Sequence, residues 1–343
     1  VSQRQYHRWC IAGWVAKKTT DPFTRQEISP EEIANLLLFR PPPVPLQSIW
    51  DTIQTGNLVR VQQILAAPEF DVNQPDEEGF LALPHASYNG NTAIVQLLLA
   101  HPGIDVNRAD EMGWTALGYA SNNGQIDTVQ LLLAVPGIDV NKANRRRETA
   151  LMLAGKDGNV GIVQLLLAHS GINVNLVNDG STTALMWASK RGRIDVVQLL
   201  LAVEGIDFNY IDQDHGNTAL ILASRDGHAA ITQLLLAVPG INVNHANAAG
   251  NTALIWATGN QRLDNVLLLL SHPGIDVNRA TNSGTTALMR ASERAYIGIV
   301  QLLLAVPGID VNRANTAGNT ALTLASEKGH TATAQLLRDA GAV

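Results

Sequence analysis

A tripeptide that recurs at a nearly constant interval constrains the fold of this chain more than any other feature. Thr-Ala-Leu occurs seven times, and one of the six steps between the copies is a single position longer than the others. A degenerate copy, Leu81-Ala82-Leu83, stands one step before the first of the seven. A fixed period of about 34 residues is typical of a solenoid, in which similar units stack in one direction. The seven copies begin at Thr115, Thr149, Thr183, Thr218, Thr252, Thr286 and Thr320.

The unit that begins at Thr115 predicts two short helices. Thr115 can cap the first helix with its hydroxyl group, and Gly124 can end that helix, which we place at Ala116 to Asn123. Apolar residues at helical spacing predict a second helix from about Ile126 to Ala134. Pro136-Gly137 then ends it, at the start of a Gly-Ile-Asp-Val-Asn string that recurs in phase with Thr-Ala-Leu.

One such helix pair cannot bury its own apolar face, whereas stacked pairs bury the faces of their neighbours. The pattern resembles the ankyrin repeat: Thr-Ala-Leu stands where that family has Thr-Pro-Leu-His, and Val-x-x-Leu-Leu recurs throughout. The resemblance covers residues 46–343. It implies an all-α solenoid of about nine helix-turn-helix units, with a degenerate first unit, seven fuller ones and a short last one. It also implies a scaffold that recognises a partner protein.

Composition excludes several other classes of function. A net charge of −6 gives no general attraction to nucleic acid. No apolar run is long enough for a membrane helix, which needs about 18 residues. The single cysteine, Cys10, excludes an intrachain disulfide and a cysteine zinc site. The histidines are scattered, and no phosphate loop or zinc-protease motif occurs. We therefore expect a monomer with no cofactor, no metal and no catalytic residue in the repeats. We expect it in the cytoplasm, or secreted into a host cytoplasm if it is a bacterial effector.

Residues that vary between the units are the candidates for partner binding. In ankyrin-like proteins the turn tips and the late first helix line the concave side, and here units three to six carry a basic stripe. The stripe predicts a partner with an acidic segment, and Trp114 is the predicted aromatic anchor. The alternative is a solvated charged face. The predicted partner-binding residues are Trp114, Arg145, Arg146, Lys156, Lys190, Arg191 and Arg225, and the stripe also includes Lys142 and Arg193.

Two further tryptophans, Trp187 and Trp256, lie two residues after the leucine of Thr-Ala-Leu. Other units place large apolar residues such as Leu153 and Leu222 at this position. We therefore interpret both tryptophans as packing between adjacent helices. Arg290 stands at the same position and is the exception.

Residues 1–40 do not follow the repeat, and a proline-rich linker at 41–45 separates them from it. They resemble the second half of a U-box, the zinc-free domain that recruits ubiquitin-charged E2 enzymes. The resemblance implies that Trp14 and Pro22 face the E2 and that Arg25 bonds both E2 and ubiquitin. It rests on Tyr6-His7-Arg8, Ile11, Trp14, Asp21 to Gln26, Ile28, Ile33 and Asn35-Leu36.

The first half of a U-box, with its strand and E2-contacting loop, has no counterpart in the chain. Since the chain begins at Val1 rather than methionine, we expect it to be a fragment of a longer protein or to carry a relic of the domain. Two hypotheses remain open. The repeats are the substrate-binding arm of a U-box ubiquitin ligase, inactive without the missing half, or they are a plain binding scaffold with a helical N-terminal cap.

Overall fold

The computed structural model describes residues 47–67, 70–76 and 79–343. These residues contain eighteen α-helices and no β-strand, which confirms the all-α prediction. The repeats lie in one compact unit, Ile49–Val343. The U-box-like segment at 1–40 and the linker at 41–45 lie outside the described residues.

The helices follow one another in nine pairs, which we number as repeats 1 to 9 and which confirm the predicted count of units. Odd-numbered helices are the first of each pair. The pairs are α1 Gln47–Gln54 and α2 Leu58–Leu65, α3 Ala82–Tyr88 and α4 Thr92–Leu99, α5 Ala116–Asn122 and α6 Ile126–Leu133, α7 Ala150–Asp157 and α8 Val160–Leu167, α9 Ala184–Arg191 and α10 Ile194–Leu201, α11 Ala219–Asp226 and α12 Ala229–Leu236, α13 Ala253–Gly259 and α14 Leu263–Ser271, α15 Ala287–Glu293 and α16 Ile297–Leu304, and α17 Ala321–Glu327 and α18 Thr331–Asp339.

The repeated threonine caps the first helix of repeats 3 to 9. In repeat 3, the hydroxyl oxygen of Thr115 accepts a hydrogen bond from the backbone N–H of Gly118, with a donor–acceptor distance of 3.1 Å. Repeats 4 to 9 show the same bond. Such a cap contributes about 1 kcal/mol to helix stability, which explains why threonine recurs. Repeat 2 has Leu81 at this position, without a side-chain cap.

A left-handed residue joins the two helices of each pair. Gly124, with φ 74°, ends the first helix of repeat 3 as the sequence predicted. Glycine adopts this conformation without strain, whereas a side chain there raises the energy. At the equivalent Gly158, an added Cβ would lie 2.9 Å from Arg193 Cδ of the next repeat. Repeats 7 and 8 depart from the pattern, with Gln261 (φ 58°) and Ala295 (φ 53°).

The core lies between neighbouring repeats. First helices pack against first helices of the adjacent repeats, and second helices pack against second helices. In repeat 3, Val129 and Leu132 are fully buried, and the small Ala120 is buried where two first helices approach each other. Each such leucine contributes about 1.5–3 kcal/mol by leaving water. The apolar spacing in the sequence is therefore the spacing of a core shared by successive repeats.

The last asparagine of Gly-Ile-Asp-Val-Asn links each repeat to the next. Asn107 Nδ2 donates to the carbonyl oxygen of Gly137 at 2.7 Å, and Asn107 Oδ1 accepts from the N–H of Asp139 at 2.8 Å. One amide thus satisfies two backbone groups of the following repeat, which explains why glycine and asparagine keep their spacing. The asparagine ladder consists of Asn73, Asn107, Asn141, Asn175, Asn209, Asn244, Asn278 and Asn312.

The turn tips that precede the first helices are also linked. Asp110 Oδ1 accepts hydrogen bonds from the N–H groups of Met112 and Trp114, at 2.9 and 2.8 Å, and so holds the turn before repeat 3. The N–H of Arg145, in the next tip, donates to the carbonyl oxygen of Met112 at 3.0 Å. Backbone hydrogen bonds therefore link successive tips, and the tips form one ordered edge of the stack.

Candidate protein-binding surface

The position two residues after the leucine of Thr-Ala-Leu forms a row along the first helices of the stack. Leu153 and Leu222 are buried, whereas the aromatic members, Arg290 and Leu324 are half-buried. The row therefore packs on one side and meets solvent on the other. We call it the ridge, and its members from repeat 2 to repeat 9 are His85, Tyr119, Leu153, Trp187, Leu222, Trp256, Arg290 and Leu324.

Three cations converge on one ridge residue, Trp187. Lys190 Nζ lies 5.2 Å from the ring centroid, Lys156 Nζ lies 5.5 Å from it, and Arg191 Cζ lies 5.8 Å from it. A cation within about 6 Å of an indole face is attracted by the ring quadrupole. Lys190 and Arg191 come from the same helix as the tryptophan, and Lys156 comes from the preceding first helix. We call these four residues the basic cluster.

None of the three cations has a carboxylate partner among the described residues. The ion pairs found there join Arg225 to Asp226 and Arg279 to Asp276. Lys190 and Arg191 are exposed, while Lys156 is half-buried. Like charges so close together repel one another, and an incoming anion relieves that repulsion. The basic cluster is therefore suited to an anionic ligand.

The indole of Trp187 is fixed by the stack. Its Nε1 atom is buried and has no hydrogen-bond partner. The same holds for Nε1 of Trp256. The nitrogen edge of each indole therefore lies against the neighbouring protein, as the packing interpretation requires. The rest of the ring is half-buried and meets the cations, a second role which that interpretation did not include.

Arg225, another predicted site residue, has a partner within the chain. Its guanidinium makes two hydrogen bonds to Asp226, Nε to Oδ1 at 2.9 Å and Nη2 to Oδ2 at 3.1 Å. The hydrogen bond with Asp226 raises the pKa of Arg225, an effect that burial opposes. Arg225 Cζ also lies 5.9 Å from the Trp256 ring. Since a neighbouring carboxylate balances its charge, Arg225 attracts an anion less strongly than the basic cluster does.

The ridge carries a second basic pair further along, in repeat 8. Burial and the nearby charge of Arg294 lower the pKa of Arg290. Arg290 Nη2 donates to Asn251 Oδ1 at 3.1 Å, and Arg294 Nη1 donates to the carbonyl oxygen of Gly259 at 3.0 Å. Both arginines are therefore held by the repeat before them. The positive side of the ridge extends beyond the repeats that the sequence singled out.

The tip residues Arg145 and Arg146 are exposed, and so is Lys142. Their side chains make no ion pair with another described residue. Backbone bonds hold the tip, since the N–H of Asp179 donates to the carbonyl oxygen of Arg146 at 3.0 Å. Arg147 takes the left-handed conformation of the turn glycine that it replaces, with φ 57°. These cations stand at an ordered edge of the stack.

Comparison with known protein families decides the class of the chain. The family model for ankyrin repeats (3 copies) matches residues 50–144, 133–212, 205–281 and 279–343, far more than half of the chain. The chain belongs to the ankyrin-repeat family. A search of curated proteins finds no match to it. The matches begin at residue 50, so the U-box resemblance of residues 1–40 has no support from the family models.

In this ankyrin-repeat stack, Trp114 lies apart from the basic cluster. It is half-buried, and its ring stacks on Tyr119 with centroids 4.9 Å apart and an interplanar angle of 20°. Trp114 therefore belongs to an aromatic group of the early repeats. The aromatic residue that stands beside the predicted cations is Trp187, which the sequence reasoning assigned to packing. A signal for it exists, because Lys190 and Arg191 follow Trp187 by three and four residues, the spacing of neighbours on one helix face.

The described ankyrin repeats lack two other kinds of feature. They contain no group of three or more His, Cys, Asp or Glu residues that could hold a metal ion. None of their helices is long and apolar enough to cross a membrane. Within these repeats, the ridge and the tips bring charged and aromatic groups together on the surface.

Proposed function

We propose that this ankyrin-repeat protein recognises a partner protein by binding an acidic segment of it at the basic cluster. The observation that carries the proposal is the convergence of three cations without carboxylate partners on the fixed ring of Trp187. A charge-assisted hydrogen bond from lysine or arginine to a carboxylate is stronger than one between neutral groups. Tryptophan and arginine also dominate the energetics of protein interfaces. Arg145 and Arg146 add two exposed positive charges at the tip before repeat 4.

Nucleic acid is the competing ligand for a basic surface. Proteins that bind single strands combine a positive groove with aromatic rings on which bases stack. Here the available face of Trp187 already meets the cations, and the chain as a whole carries a net charge of −6. An acidic peptide needs the cations alone, whereas a nucleic acid would also need a free ring. The ridge therefore favours the peptide.

Binding of labelled peptides tests this proposal. Fluorescence anisotropy of a fluorescein-labelled hexaglutamate peptide is compared with that of hexaglutamine and of hexathymidylate. We expect hexaglutamate to bind more tightly than the other two probes. Its affinity should fall steeply with added salt, because salt screens exposed charges. Equal binding of hexaglutamine, or equal or tighter binding of hexathymidylate, would overturn the assignment to an acidic protein segment.

Charge reversal locates the binding site. Lys190→Glu and Arg191→Glu each place a carboxylate in the basic cluster, and we expect each to weaken hexaglutamate binding about ten-fold. Lys328→Glu is the matched control, because Lys328 occupies the position of Arg191 in repeat 9 and is likewise exposed. An equal loss in the control would show that net charge, rather than the basic cluster, governs binding.

We further propose that the repeats hold the substrate of a U-box ubiquitin ligase, to which residues 1–40 belong. Support comes from the sequence, through Asp21-Pro22-Phe23-Thr24-Arg25 and the scarcity of cysteine. Trp14 and Pro22 would face the E2, and Arg25 would bond E2 and ubiquitin. The test is E2-dependent formation of ubiquitin chains by the protein with its complete N-terminal region. Absence of activity would favour the plain scaffold, and unchanged activity in Arg25→Ala would reject the role assigned to Arg25.

A further inference from the structure

A recess of about 200 Å³ lies along the ridge between the first helices of repeats 1 to 3, apart from the basic cluster. Its lining is predominantly aromatic, and it carries one carboxylate. We call it the aromatic cleft, and the lining residues that matter here are Trp50, Phe80, His85, Tyr88, Tyr119 and Asp110.

The rings of the aromatic cleft hold one another in place. Trp50 stacks on Phe80, with centroids 4.8 Å apart, and on His85, with centroids 3.2 Å apart. Tyr88 meets the edge of Tyr119 at right angles, with centroids 5.6 Å apart. Phe80 and Tyr88 nevertheless remain 38% and 47% exposed. The chain thus keeps two large aromatic side chains partly in water around a recess that they could have filled.

The carboxylate in the wall is fixed in place. Asp110 Oδ2 accepts a hydrogen bond from Tyr119 Oη at 2.7 Å, and Asp110 Oδ1 accepts the two turn bonds from Met112 and Trp114. Burial is the main cause that raises the pKa of Tyr119, and the hydrogen bond to Asp110 adds to it. The phenol therefore stays protonated and leaves the charge of Asp110 uncancelled.

No positive charge opposes that carboxylate within the cleft. No lysine or arginine is among its described lining residues. Burial lowers the pKa of His85 to about 4, despite the opposing influence of Asp76, so the imidazole is neutral at pH 7. The negative faces of the rings and the charge of Asp110 act in the same direction, and both favour a cation.

We propose that the aromatic cleft binds the cationic side chain of a lysine or arginine of the partner protein. A neutral apolar side chain would gain only the area that it buries, whereas a cation also gains the attraction of the rings and of Asp110. The ridge would then bind a cation at the cleft and an anion at the basic cluster. A bound segment would lie in one direction, with its cation toward repeats 1 to 3 and its acidic part toward repeats 4 and 5, a consequence that rests on the proposed function.

Two small probes of the same shape test the proposal. Choline carries a trimethylammonium group, and 3,3-dimethyl-1-butanol is its neutral isostere. Each is titrated into the full chain, and the indole N–H signal of Trp50, assigned with Trp50→Phe, is followed by NMR. We expect choline to shift this signal and to bind at least about three-fold more tightly than the alcohol. Equal affinities, or no shift with either probe, would overturn the proposal.

A conservative variant isolates the charge. Asp110→Asn installs the residue that stands at the equivalent positions 144 and 178, where the turn is intact, so the fold is retained. We expect it to abolish the preference for choline and to leave the affinity for the alcohol unchanged. Asp212→Asn, at the same turn position before repeat 6, is the matched control and should bind both probes as the unmodified chain does. An unchanged preference in Asp110→Asn would contradict the role of the carboxylate.

These experiments test the cleft proposal and the acidic-segment proposal separately. Lys190→Glu alters the basic cluster alone, so we expect it to bind choline as the unmodified chain does while binding hexaglutamate about ten-fold more weakly. Loss of choline binding in Lys190→Glu would show that the two places are not separate sites, which would overturn the proposal for the cleft. Retained choline binding by a chain that never binds hexaglutamate would refute the acidic-segment proposal and leave the cleft in place.

Discussion

Lys190 Nζ lies 5.2 Å from the centre of the Trp187 ring, one turn along the same helix. The ring cannot turn away, because its buried Nε1 edge is packed against the neighbouring protein. A flexible side chain is thereby held over a rigid platform, which lowers the entropy that it must still lose when it binds a ligand. The arrangement explains how an exposed lysine can contribute to a specific site.

Replacing that platform should weaken binding more than it weakens the fold. Trp187→Leu introduces the residue that repeats 4 and 6 carry as Leu153 and Leu222, so the stack can accept it. We expect hexaglutamate affinity to fall about three- to ten-fold through the loss of cation–π ordering. The thermal midpoint should change little. Trp256→Leu, at the same ridge position two repeats away, serves as the control and should bind nearly normally. Comparable losses in both variants would contradict a special role for Trp187.

Relief of backbone strain should stabilise the stack at one position. Ala295 has φ 53°, where most repeats have glycine, and such a conformation costs a residue with a side chain about 1 kcal/mol. Ala295→Gly should therefore raise the urea midpoint. The matched control is Gly329→Ala at the same position of repeat 9, where φ is 74° and no atom lies within 4 Å of an added Cβ. It should lower the midpoint through strain alone, and opposite signs in the two variants are the expected result.

Each asparagine of the ladder should contribute more to the free energy of unfolding in the middle of the stack than at its end. Asn175→Ala removes two bonds to repeat 5, those to Gly205 O at 2.8 Å and from Asp207 N at 2.9 Å. We expect a loss of about 1–3 kcal/mol and faster hydrogen exchange at the Asp207 amide. Asn312→Ala also removes two bonds, one to Gly341 O at 3.3 Å and one from Val343 N at 2.9 Å, but both reach only the last three residues of the chain. A larger loss in Asn312→Ala than in Asn175→Ala would contradict this account.

Acid should loosen the early repeats. Burial lowers the pKa of His85 to about 4 in the folded protein, while an unfolded histidine titrates near its usual value of 6.5. The folded state therefore favours neutral His85. The stability this provides is complete above about pH 6.5 and declines as the pH falls toward about 4. Protection factors for hydrogen exchange in α3, which correct for the slower intrinsic exchange in acid, should fall over this range. His85→Leu, which places the ridge leucine of repeat 4 in repeat 2, should remove that dependence. Persistence of the same pH dependence in His85→Leu would assign it to other groups.

The scaffold of the stack is predictable from the sequence because its causes are local or strictly periodic. Thr115 caps the helix that begins with the next residue, and Gly124 ends it within the same unit. The buried face of the second helix follows from the spacing of Val129 and Leu132. The family model confirms the repeat from residue 50 onward.

The chemistry of the surface was less predictable because it depends on contacts between repeats and on rotamers. Lys156 reaches Trp187 from the preceding repeat, and no pattern within one unit indicates this contact. Arg225 pairs with the adjacent Asp226, although neighbours in sequence do not normally face each other on a helix. Trp114 stacks on Tyr119, so its orientation depends on a ring in the helix that follows it and not on the tip alone.

The most direct test of the central claim is an NMR titration of the full chain with hexaglutamate that follows the indole N–H signals of its six tryptophans. Single Trp→Phe variants assign the signals. The account predicts that the Trp187 signal shifts first and most, while those of Trp50 and Trp114 stay in place. A response at Trp50 or Trp114 without one at Trp187 would contradict it.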